Sequence, residues 1–332
     1  MRALVLNSAD KGKSVTATVK TLALSDLRQA DGDVLVRVGY SGLNYKDALA
    51  ITNAGKIIRS FPFIPGIDFA GTVEEGSGNW KKGDQVVVTG YGVGERTWGG
   101  LSEYARVKAH YLVKTPPSLS QRDCMAIGTA GFTAMQCVLA LEEHGVLPGS
   151  GPVLVTGSTG GVGSVAVAVL AKLGYKVTAL TGKPDSESYL KSIGASATLD
   201  RATLSGPAKA LDGEKWAGVI DTIGGNVLAA AISQTKYGGA VAACGMAGGN
   251  EFKSSVFPFI LRGVNLLGID SVMCPQARRQ VVWDRLARDL PKDAILKMVK
   301  EVGLEDVPDV CKNMIAATTS GRTVVKIASA KL

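Results

Sequence analysis

Two patterns of apolar and polar residues follow one another along the chain. Before residue 123, short apolar runs alternate with turns rich in Gly and Asp, and these runs are RALVLN, DVLVRVGYSG, DFAGTVEEG, DQVVVTGYG and EYARVKAHYLVKTP. Closely spaced strand patterns without a helical period are typical of small all-β units. The first third of the chain therefore predicts a barrel-like β domain.

From residue 123 the pattern becomes one of strands alternating with helices. CMAIGTAGFTAMQCVLALEEHG predicts a helix, and strand–helix pairs follow it, from PVLVTG with GVGSVAVAVLAKLG to AGVIDTIG with VLAAAISQT. This alternation predicts a parallel sheet covered by helices on both faces. A helix, PQARRQVVWDRLARDL, and a strand, GRTVVKIA, close the chain, and we expect the strand to return to the first domain. The expected domains are 1–123 with 275–332, and 124–274.

Composition narrows the classes of partner. The chain of 332 residues carries a net charge of +8 but has no basic run of the kind that binds nucleic acid, so a phosphorylated small molecule is the better fit. The start, MRALVLNSADKGKS, lacks the features of a signal peptide, and no stretch approaches the length of a membrane span. Five scattered cysteines without a CxxC indicate reduced thiols in the cytoplasm, and two histidines exclude a His-rich metal site.

A glycine-rich loop, TGSTGGVG, follows the first strand of the second pattern. Gly157, Gly160 and Gly163 form G-x-x-G-x-x-G at the start of a helix, which is typical of a loop that cradles the pyrophosphate of a dinucleotide. A plain strand–helix turn is the alternative, but the strand, the helix and the next βα unit are all in place. The candidate residues are Gly157, Ser158, Thr159, Gly160, Gly161, Val162 and Gly163.

The tip of the next strand indicates which dinucleotide binds. Enzymes that use NAD place an acid there, about 20 residues on, to hold the ribose 2′-hydroxyl. This chain has Thr181, Gly182 and Lys183, and Arg201 follows the third strand. A hydroxyl, a free N–H and cations suit a 2′-phosphate, so we expect NADPH. The alternative is that Lys183 and Arg201 are solvated surface charges.

Taken together, the landmarks resemble the medium-chain dehydrogenase/reductase superfamily over essentially the whole chain. They are SGLNYKDAL, PFIPGIDFAGTV, KKGDQVVV, GGLSEYARV, GTAGFTAM, TGSTGGVG and GRTVVK, in that order. The resemblance implies an α/β protein with a GroES-like, β-rich catalytic domain and a Rossmann domain built on a doubly wound parallel sheet.

The zinc ligands of that superfamily are replaced in this sequence. Asn44 stands where zinc members have a Cys, Ile67 and Asp68 stand where they have a His-Glu pair, and the four cysteines of the structural zinc lobe are missing. We therefore expect no metal. Without a Lewis acid, an alkene conjugated to a carbonyl is an easier substrate than an isolated ketone, because the carbonyl takes up the developing charge as an enolate.

Longer stretches, among them LNYKDALAITNAGKIIRSFPFIPGIDFAGTV and VFPFILRGVNLLGIDSVM, resemble the acryloyl-CoA reductase group of the AcuI/YhdH type. This resemblance implies NADPH-dependent reduction of acryloyl-CoA to propanoyl-CoA, in the cytoplasm and by a homodimer, with an acyl-CoA as partner and neither nucleic acid nor membrane. The alternatives are a zinc-free quinone oxidoreductase or other enone reductase, and a silent NADPH-binding sensor.

Three residues are the catalytic candidates: Tyr45 as hydrogen-bond donor or proton relay, Asn44 beside it, and Asp68. A buried structural tyrosine, a turn residue and a buried structural carboxyl are the respective alternatives, and Lys46 and Asp47 either pair or cap a helix. By resemblance, further residues near the cofactor are Thr129, Thr133, Met246, Ile269, Asp270, Ser271 and Arg322. Helix N-capping is the alternative for the two threonines, and packing or a surface position is the alternative for the others. Candidates for the CoA phosphates, each with a surface role as the alternative, are Lys56, Arg59, Arg262, Arg278 and Arg279.

Overall fold

The computed structural model describes residues 1–10, 12–296 and 298–327 and shows a mixed α/β protein. The strands are β1 (Arg2–Asn7), β2 (Thr16–Thr21), β3 (Val34–Leu43), β4 (Asp68–Glu75), β5 (Gln85–Thr89), β6 (Tyr104–Val107), β7 (Val113–Lys114), β8 (Val153–Thr156), β9 (Val177–Thr181), β10 (Ala197–Asp200), β11 (Trp216–Asp221), β12 (Thr235–Ala243), β13 (Asn265–Gly268), β14 (Val299–Val302) and β15 (Arg322–Lys326). The α-helices are α1 (Tyr45–Ile51), α2 (Gln121–Glu143), α3 (Gly161–Lys172), α4 (Glu187–Ser192), α5 (Gly225–Ser233), α6 (Phe257–Arg262), α7 (Gln276–Asp289), α8 (Lys292–Leu296) and α9 (Val307–Ile315).

The described residues form two compact units. One comprises those of Met1–Thr129, Val272–Ala287 and Met298–Leu332, and the other comprises those of Ala130–Ser271 and Arg288–Lys297. The domain limits expected from the sequence stay a prediction, and their last residues, 328–332, lie outside the described part of the chain.

The first unit is built on a sheet of antiparallel neighbours in the order β14-β15-β3-β4-β5-β7, with β6 also paired to β3 and only β14 and β15 parallel. Strand β15 pairs with β3 through Thr323 opposite Leu43, so the return of the C-terminal strand to the first domain is confirmed. A core of buried aliphatic and aromatic side chains lies beneath this sheet, and Ala48 of α1 and Val307 of α9 belong to it.

The second unit contains a six-stranded parallel sheet in the order β10-β9-β8-β11-β12-β13. This is the doubly wound order, in which the order of the strands reverses between the first and the fourth strand of the sheet, here β8 and β11. Every residue of β8 and β11 is buried, as expected for strands covered on both faces. The predicted fold class is confirmed.

Helix α2 corrects one expectation from the sequence. By length and composition it is apolar enough to cross a membrane, although we expected no such stretch. Its most apolar window is 94% buried, and Gly128, with φ of 51° and ψ of −162°, interrupts the helical backbone. Burial of this kind is typical of a core helix.

Candidate functional site

Most of the predicted cofactor residues lie at one edge of the parallel sheet. Gly157 follows β8, Gly182 follows β9, Arg201 follows β10, Met246 lies just after β12 and Ile269 follows β13. Carboxyl ends of parallel strands share an edge, and ligands of doubly wound sheets bind there, where the strand order reverses. The topology thus collects residues that are far apart in sequence.

Two positions of the loop after β8 require glycine, each for a different structural reason. Gly157 has φ of +61°, and a Cβ there would lie 2.3 Å from Thr222 Oγ1. A Cβ on Gly163 would lie 2.3 Å from the Gly157 carbonyl oxygen, so this glycine lets α3 pack against the loop. The first-turn N–H groups of α3 have no intrahelical acceptor, and they give the loop its capacity to bind an anion.

The tips of β9 and β10 bring the predicted cations together. A Cβ on Gly182 would lie 2.9 Å from Arg201 Cζ, so the guanidinium lies directly against the backbone of Gly182. A cavity of about 170 Å³ beside it is lined by Thr181, Lys183 and Asp200, among others. The Asp200 carboxylate accepts a hydrogen bond from Ala202 N, which satisfies one of its oxygens. This corner has the size and donors to hold a phosphate.

The other predicted cofactor residues differ in exposure. Met246 is 71% exposed, whereas Thr133 is buried in α2. Gln136, which the sequence analysis missed, lies one turn after Thr133, and its Nε2 donates to the Asp270 carbonyl at 3.4 Å. Ile269 N donates to the Ala243 carbonyl and thereby fixes the start of the segment that includes Ser271. A polar residue on an apolar helix was the signal for Gln136.

In the first unit, a buried hydrogen-bond network surrounds Asp68, which is fully buried. Its Oδ2 accepts from Asn44 Nδ2 at 2.8 Å and from Thr129 N at 2.6 Å, and its Oδ1 accepts from the Thr129 hydroxyl at 2.5 Å. Burial raises the pKa of Asp68, and the donors from Thr129 and the charge of Arg322 oppose that rise. Through these described contacts, the Asp68 carboxyl fixes the positions of Asn44 and Thr129.

Arg322 is the cation of this network and is 4% exposed. Its Nε donates to the Ala126 carbonyl at 2.9 Å, and its Nη1 donates to the Leu43 carbonyl at 3.2 Å and to Asn44 Oδ1 at 3.3 Å. The guanidinium is therefore engaged with protein oxygens. Its role as a cofactor contact, which came from the family resemblance, stays a prediction.

Tyr45 is the first residue of α1, directly after the network. Its side chain is 55% exposed, so the alternative of a buried structural tyrosine does not describe it. Lys46 pairs with Glu95 at 2.7 Å rather than with Asp47, and Asp47 caps the helix by accepting from Asn44 N at 2.9 Å. An Asn followed three residues later by an Asp was the sequence signal for this cap.

Two candidates for the CoA phosphates hold the fold instead. Arg279 is completely buried, donates to the Thr89 carbonyl at 2.7 Å and stacks 4.5 Å from the centre of the Tyr91 ring. Arg262 donates to the Ser233 carbonyl at 3.0 Å and has only 13% of its side chain exposed. Neither guanidinium is a solvated surface charge, because each satisfies backbone carbonyls.

Burial raises the pKa of Asp47 to about 7, and the nearby negative charge of Asp68 contributes to the same direction. The folded state then keeps a proton that the unfolded chain releases from pH 3.8 upward. The stabilising contribution of protonated Asp47 is complete below that pH and is lost as the pH rises to about 7. For each tenfold by which folding weakens Asp47 as an acid, the free energy of unfolding changes by about 1.4 kcal/mol across this pH range.

We therefore expect Asp47→Asn to alter how stability depends on pH. The amide offers one oxygen to the two N–H donors that Asp47 serves, Asn44 N and Ile67 N, so the variant loses roughly 1–3 kcal/mol at pH 4.5. This deficit should shrink by pH 7.5, because only the wild type loses stability in between. Urea unfolding at both pH values measures this deficit, with Asp309→Asn, at an exposed position of α9, as the control. A deficit independent of pH would contradict the pKa assignment.

Comparisons with known proteins agree with this architecture. Two protein-family models match the sequence. The family described as alcohol dehydrogenase GroES-like domain matches residues 30–117, and the family described as zinc-binding dehydrogenase matches residues 161–288. The acrylyl-CoA reductase AcuI of Ruegeria pomeroyi is 50% identical over 327 residues, which cover 98% of each chain.

Two solved structures are similar over almost the full length. The YhdH oxidoreductase from Salmonella enterica in complex with NADP shows a TM-score of 0.96 at 52% identity and covers 99% of this chain and 100% of that one. The Bacillus subtilis protein YhfP with NAD bound shows a TM-score of 0.94 at 46% identity, covering 98% and 99%. The fold and site thus define a two-domain oxidoreductase. The chain belongs to the medium-chain dehydrogenase/reductase superfamily and, within it, to the group of AcuI- and YhdH-type reductases.

The zinc that the second family description implies does not fit the residues present. Both Asp68 oxygens accept hydrogen bonds, and the Asn44 amide donates to one of them. The buried charge of Arg322 would repel a second cation. Among residues 1–10, 12–296 and 298–327, no group of three or more His, Cys, Asp or Glu side chains is arranged to hold a metal ion.

Proposed function

We propose that this protein reduces the activated C=C bond of acryloyl-CoA to give propanoyl-CoA, with NADPH as the reductant and without a metal. The observation that carries the proposal is the 50% identity to the Ruegeria pomeroyi acrylyl-CoA reductase AcuI over 98% of both chains. Hydride adds to Cβ of the acyl group and a proton to Cα, and the thioester oxygen carries the developing negative charge between the two events.

NADPH fits the edge of the parallel sheet. When bound, it supplies the hydride. The loop from Gly157 to Gly163 would hold its pyrophosphate through backbone N–H groups, and Thr181, Lys183 and Arg201 would hold its 2′-phosphate. The NADP in the Salmonella enterica relative supports this choice of cofactor.

The hydroxyl of Tyr45 is the group that acts on the acyl end. It is exposed, and it makes no hydrogen bond within the described part of the chain. Both N–H bonds of the Asn44 amide are already directed at protein oxygens, Asp68 Oδ2 and the Gly42 carbonyl. We therefore assign hydrogen-bond donation to the thioester oxygen to Tyr45, and a supporting role to Asn44 and Asp68.

For the CoA phosphates, exposed Lys56 and Arg59 and half-buried Arg278 remain as candidates. Their proposed role is electrostatic, since a polyanionic substrate is drawn to a surface of net positive charge.

The test of the function is a spectrophotometric assay of NADPH oxidation with acryloyl-CoA, crotonoyl-CoA and p-benzoquinone side by side. We expect fastest turnover of acryloyl-CoA, with propanoyl-CoA identified by mass spectrometry. Turnover of the quinone alone would establish the quinone oxidoreductase alternative, and tight NADPH binding without any turnover would establish the sensor.

Exhaustive treatment with EDTA is expected to leave the reductase activity unchanged, because Asn44 and Asp68, the residues at the zinc position, are hydrogen-bonded to each other. The rate of NADPH oxidation before and after treatment measures this. Activity that disappears and returns on addition of zinc alone would overturn the metal-free mechanism.

The homodimer is also part of the proposal, together with a cytoplasmic location, which the five free cysteines support. Exposed apolar side chains on α6 and on edge strand β13 favour an interface there: Phe257, Ile260, Leu261 and Leu266. We expect Ile260→Asp to convert a dimer to monomer in light scattering, whereas Leu147→Asp, at an exposed apolar position in a loop, leaves it intact. A wild type that is monomeric at micromolar concentration would contradict the interface.

A further inference from the structure

The side-chain amide of Asn44 is held from both ends by buried groups. Its Nδ2 donates to Asp68 Oδ2 at 2.8 Å, and its Oδ1 accepts from Arg322 Nη1 at 3.3 Å. A flipped amide would turn its NH₂ group toward the guanidinium and its oxygen toward the carboxyl, so both contacts would become repulsive. The two neighbours therefore permit a single orientation of the amide.

The same guanidinium also donates a hydrogen bond to the backbone that leads into α1. Nη1 of Arg322 donates to the carbonyl of Leu43, the last residue of β3. Asn44 is the N-cap of α1, and Tyr45 is its first residue. Arg322 thus contacts both residues that immediately precede the tyrosine, although it makes no described contact with the tyrosine itself.

We propose that Arg322 is a positioning residue of the reductase: by fixing Leu43 and Asn44, it sets the direction in which α1 presents the Tyr45 hydroxyl to the substrate. The inference rests on the proposed function, because orientation of this hydroxyl matters only if it acts on the acyl group. A buried organic cation then organises the position at which the zinc-binding members of the superfamily place ligands.

The packing around Arg322 leaves the guanidinium little freedom. A Cβ on Gly128 would lie 2.6 Å from Arg322 Nη2 and 2.5 Å from Asp68 Oδ2, and a Cβ on Gly42 would lie 3.4 Å from that Nη2. Gly128 also has φ of +51°, a conformation that other residues rarely adopt. Gly128 therefore allows the guanidinium and the carboxyl to lie side by side against its backbone.

Lysine cannot reproduce the set of hydrogen bonds that Arg322 makes. Arg322 uses Nε for the Ala126 carbonyl while Nη1 serves Leu43 and Asn44. An ammonium group is a point charge and lacks the planar fork, so Arg322→Lys keeps the positive charge but loses part of this set of contacts. The substitution therefore separates orientation from charge.

A double-mutant cycle tests the inference. Arg322→Lys is expected to lower kcat about tenfold with little change in KM, because the loss acts in the transition state. In the Tyr45→Phe background the same change should lower kcat less than about twofold, because residues that act through one another are not additive. Arg279→Lys is the matched control, since Arg279 is equally buried in the same unit but holds Thr89 and Tyr91. It should lower the thermal midpoint and leave kcat of the folded enzyme unchanged.

Hydrogen exchange gives a second measurement that needs no substrate. The Asn44 N–H, which donates to Asp47 Oδ2, should exchange about tenfold faster in Arg322→Lys than in Arg279→Lys, because its N-cap geometry is loosened. If the lysine variant does not fold, Arg322→Gln is compared with Arg279→Gln, so that both variants lose one buried positive charge and differ only in the contacts that are removed.

Equal losses of kcat in the two backgrounds, or equal exchange of Asn44 in the two arginine variants, would overturn the positioning role of Arg322. Neither result would touch the proposed reduction itself. Conversely, a wild type that fails to turn over acryloyl-CoA would overturn the proposed function, while the exchange data would still report on the grip of Arg322.

Discussion

Tyr45→Phe is expected to lower kcat for acryloyl-CoA about a hundredfold, which is the typical cost of losing one oxyanion-type donor or one proton relay. The change removes a single oxygen and keeps the ring. Since the hydroxyl acts mainly as charge develops on the thioester oxygen, KM should change little.

Exposure of the side chain sharpens this expectation. Tyr45 is 55% exposed, and its hydroxyl makes no hydrogen bond to any described residue, so its removal should leave the thermal midpoint unchanged. A hydroxyl with a structural partner would instead cost about 1 kcal/mol of stability.

The measurement is kcat, KM and the thermal midpoint on the same preparation. Tyr237→Phe, at another exposed tyrosine, serves as the control and should leave kcat, KM and the thermal midpoint unchanged. A Tyr45→Phe variant whose kcat stays within about threefold of wild type would remove the tyrosine from the mechanism.

Lys183→Ala is expected to weaken NADPH binding by roughly 1.5–3 kcal/mol, or about tenfold to more than a hundredfold in Kd, for one lost charge-assisted contact. NADH lacks the 2′-phosphate and should bind almost as before. The half-buried lysine lines the cavity at the tips of β9 and β10, next to the position of Arg201.

Fluorescence titration of both cofactors measures the difference. Lys172→Ala, at an exposed lysine in the last turn of α3, controls for the loss of a charge from the same unit. Arg201→Ala should act in the same direction as Lys183→Ala, because its guanidinium lies against Gly182. Equal weakening of NADPH and NADH would show that Lys183 does not touch the 2′-phosphate.

The sequence predicted best what depends on neighbouring residues. The glycine loop and the apolar strands of the parallel sheet follow from local patterns, because turn geometry and burial on both faces dictate residue type over a few positions. Even the lysine at the tip of β9 was identifiable, since a strand end is a local signal.

The network around Asp68 was beyond sequence reasoning. Asp68 and its donor Thr129 are 61 residues apart, and Asn44 and Arg322 are 278 apart. No period or motif links such positions, and only the pairing of β15 with β3 brings Arg322 beside the start of α1. For the same reason, Arg279 was expected either to contact the CoA phosphates or to be a surface charge, although it lies fully buried against Tyr91.

The distance along the chain between Asn44 and Arg322 has a consequence for biosynthesis. The ribosome must add 278 residues after Asn44 before its partner exists, which takes roughly 14–56 s at typical elongation rates. Throughout that time the nascent polypeptide has Asp47 and Asp68 as partners for Asn44, but it lacks the guanidinium that fixes Asn44 Oδ1 and the Leu43 carbonyl. We therefore expect competence for catalysis only after Arg322 has been added, and a stop codon between β13 and β15 would leave a polypeptide that has the strands of the nucleotide-binding sheet but lacks the cation beside Asn44.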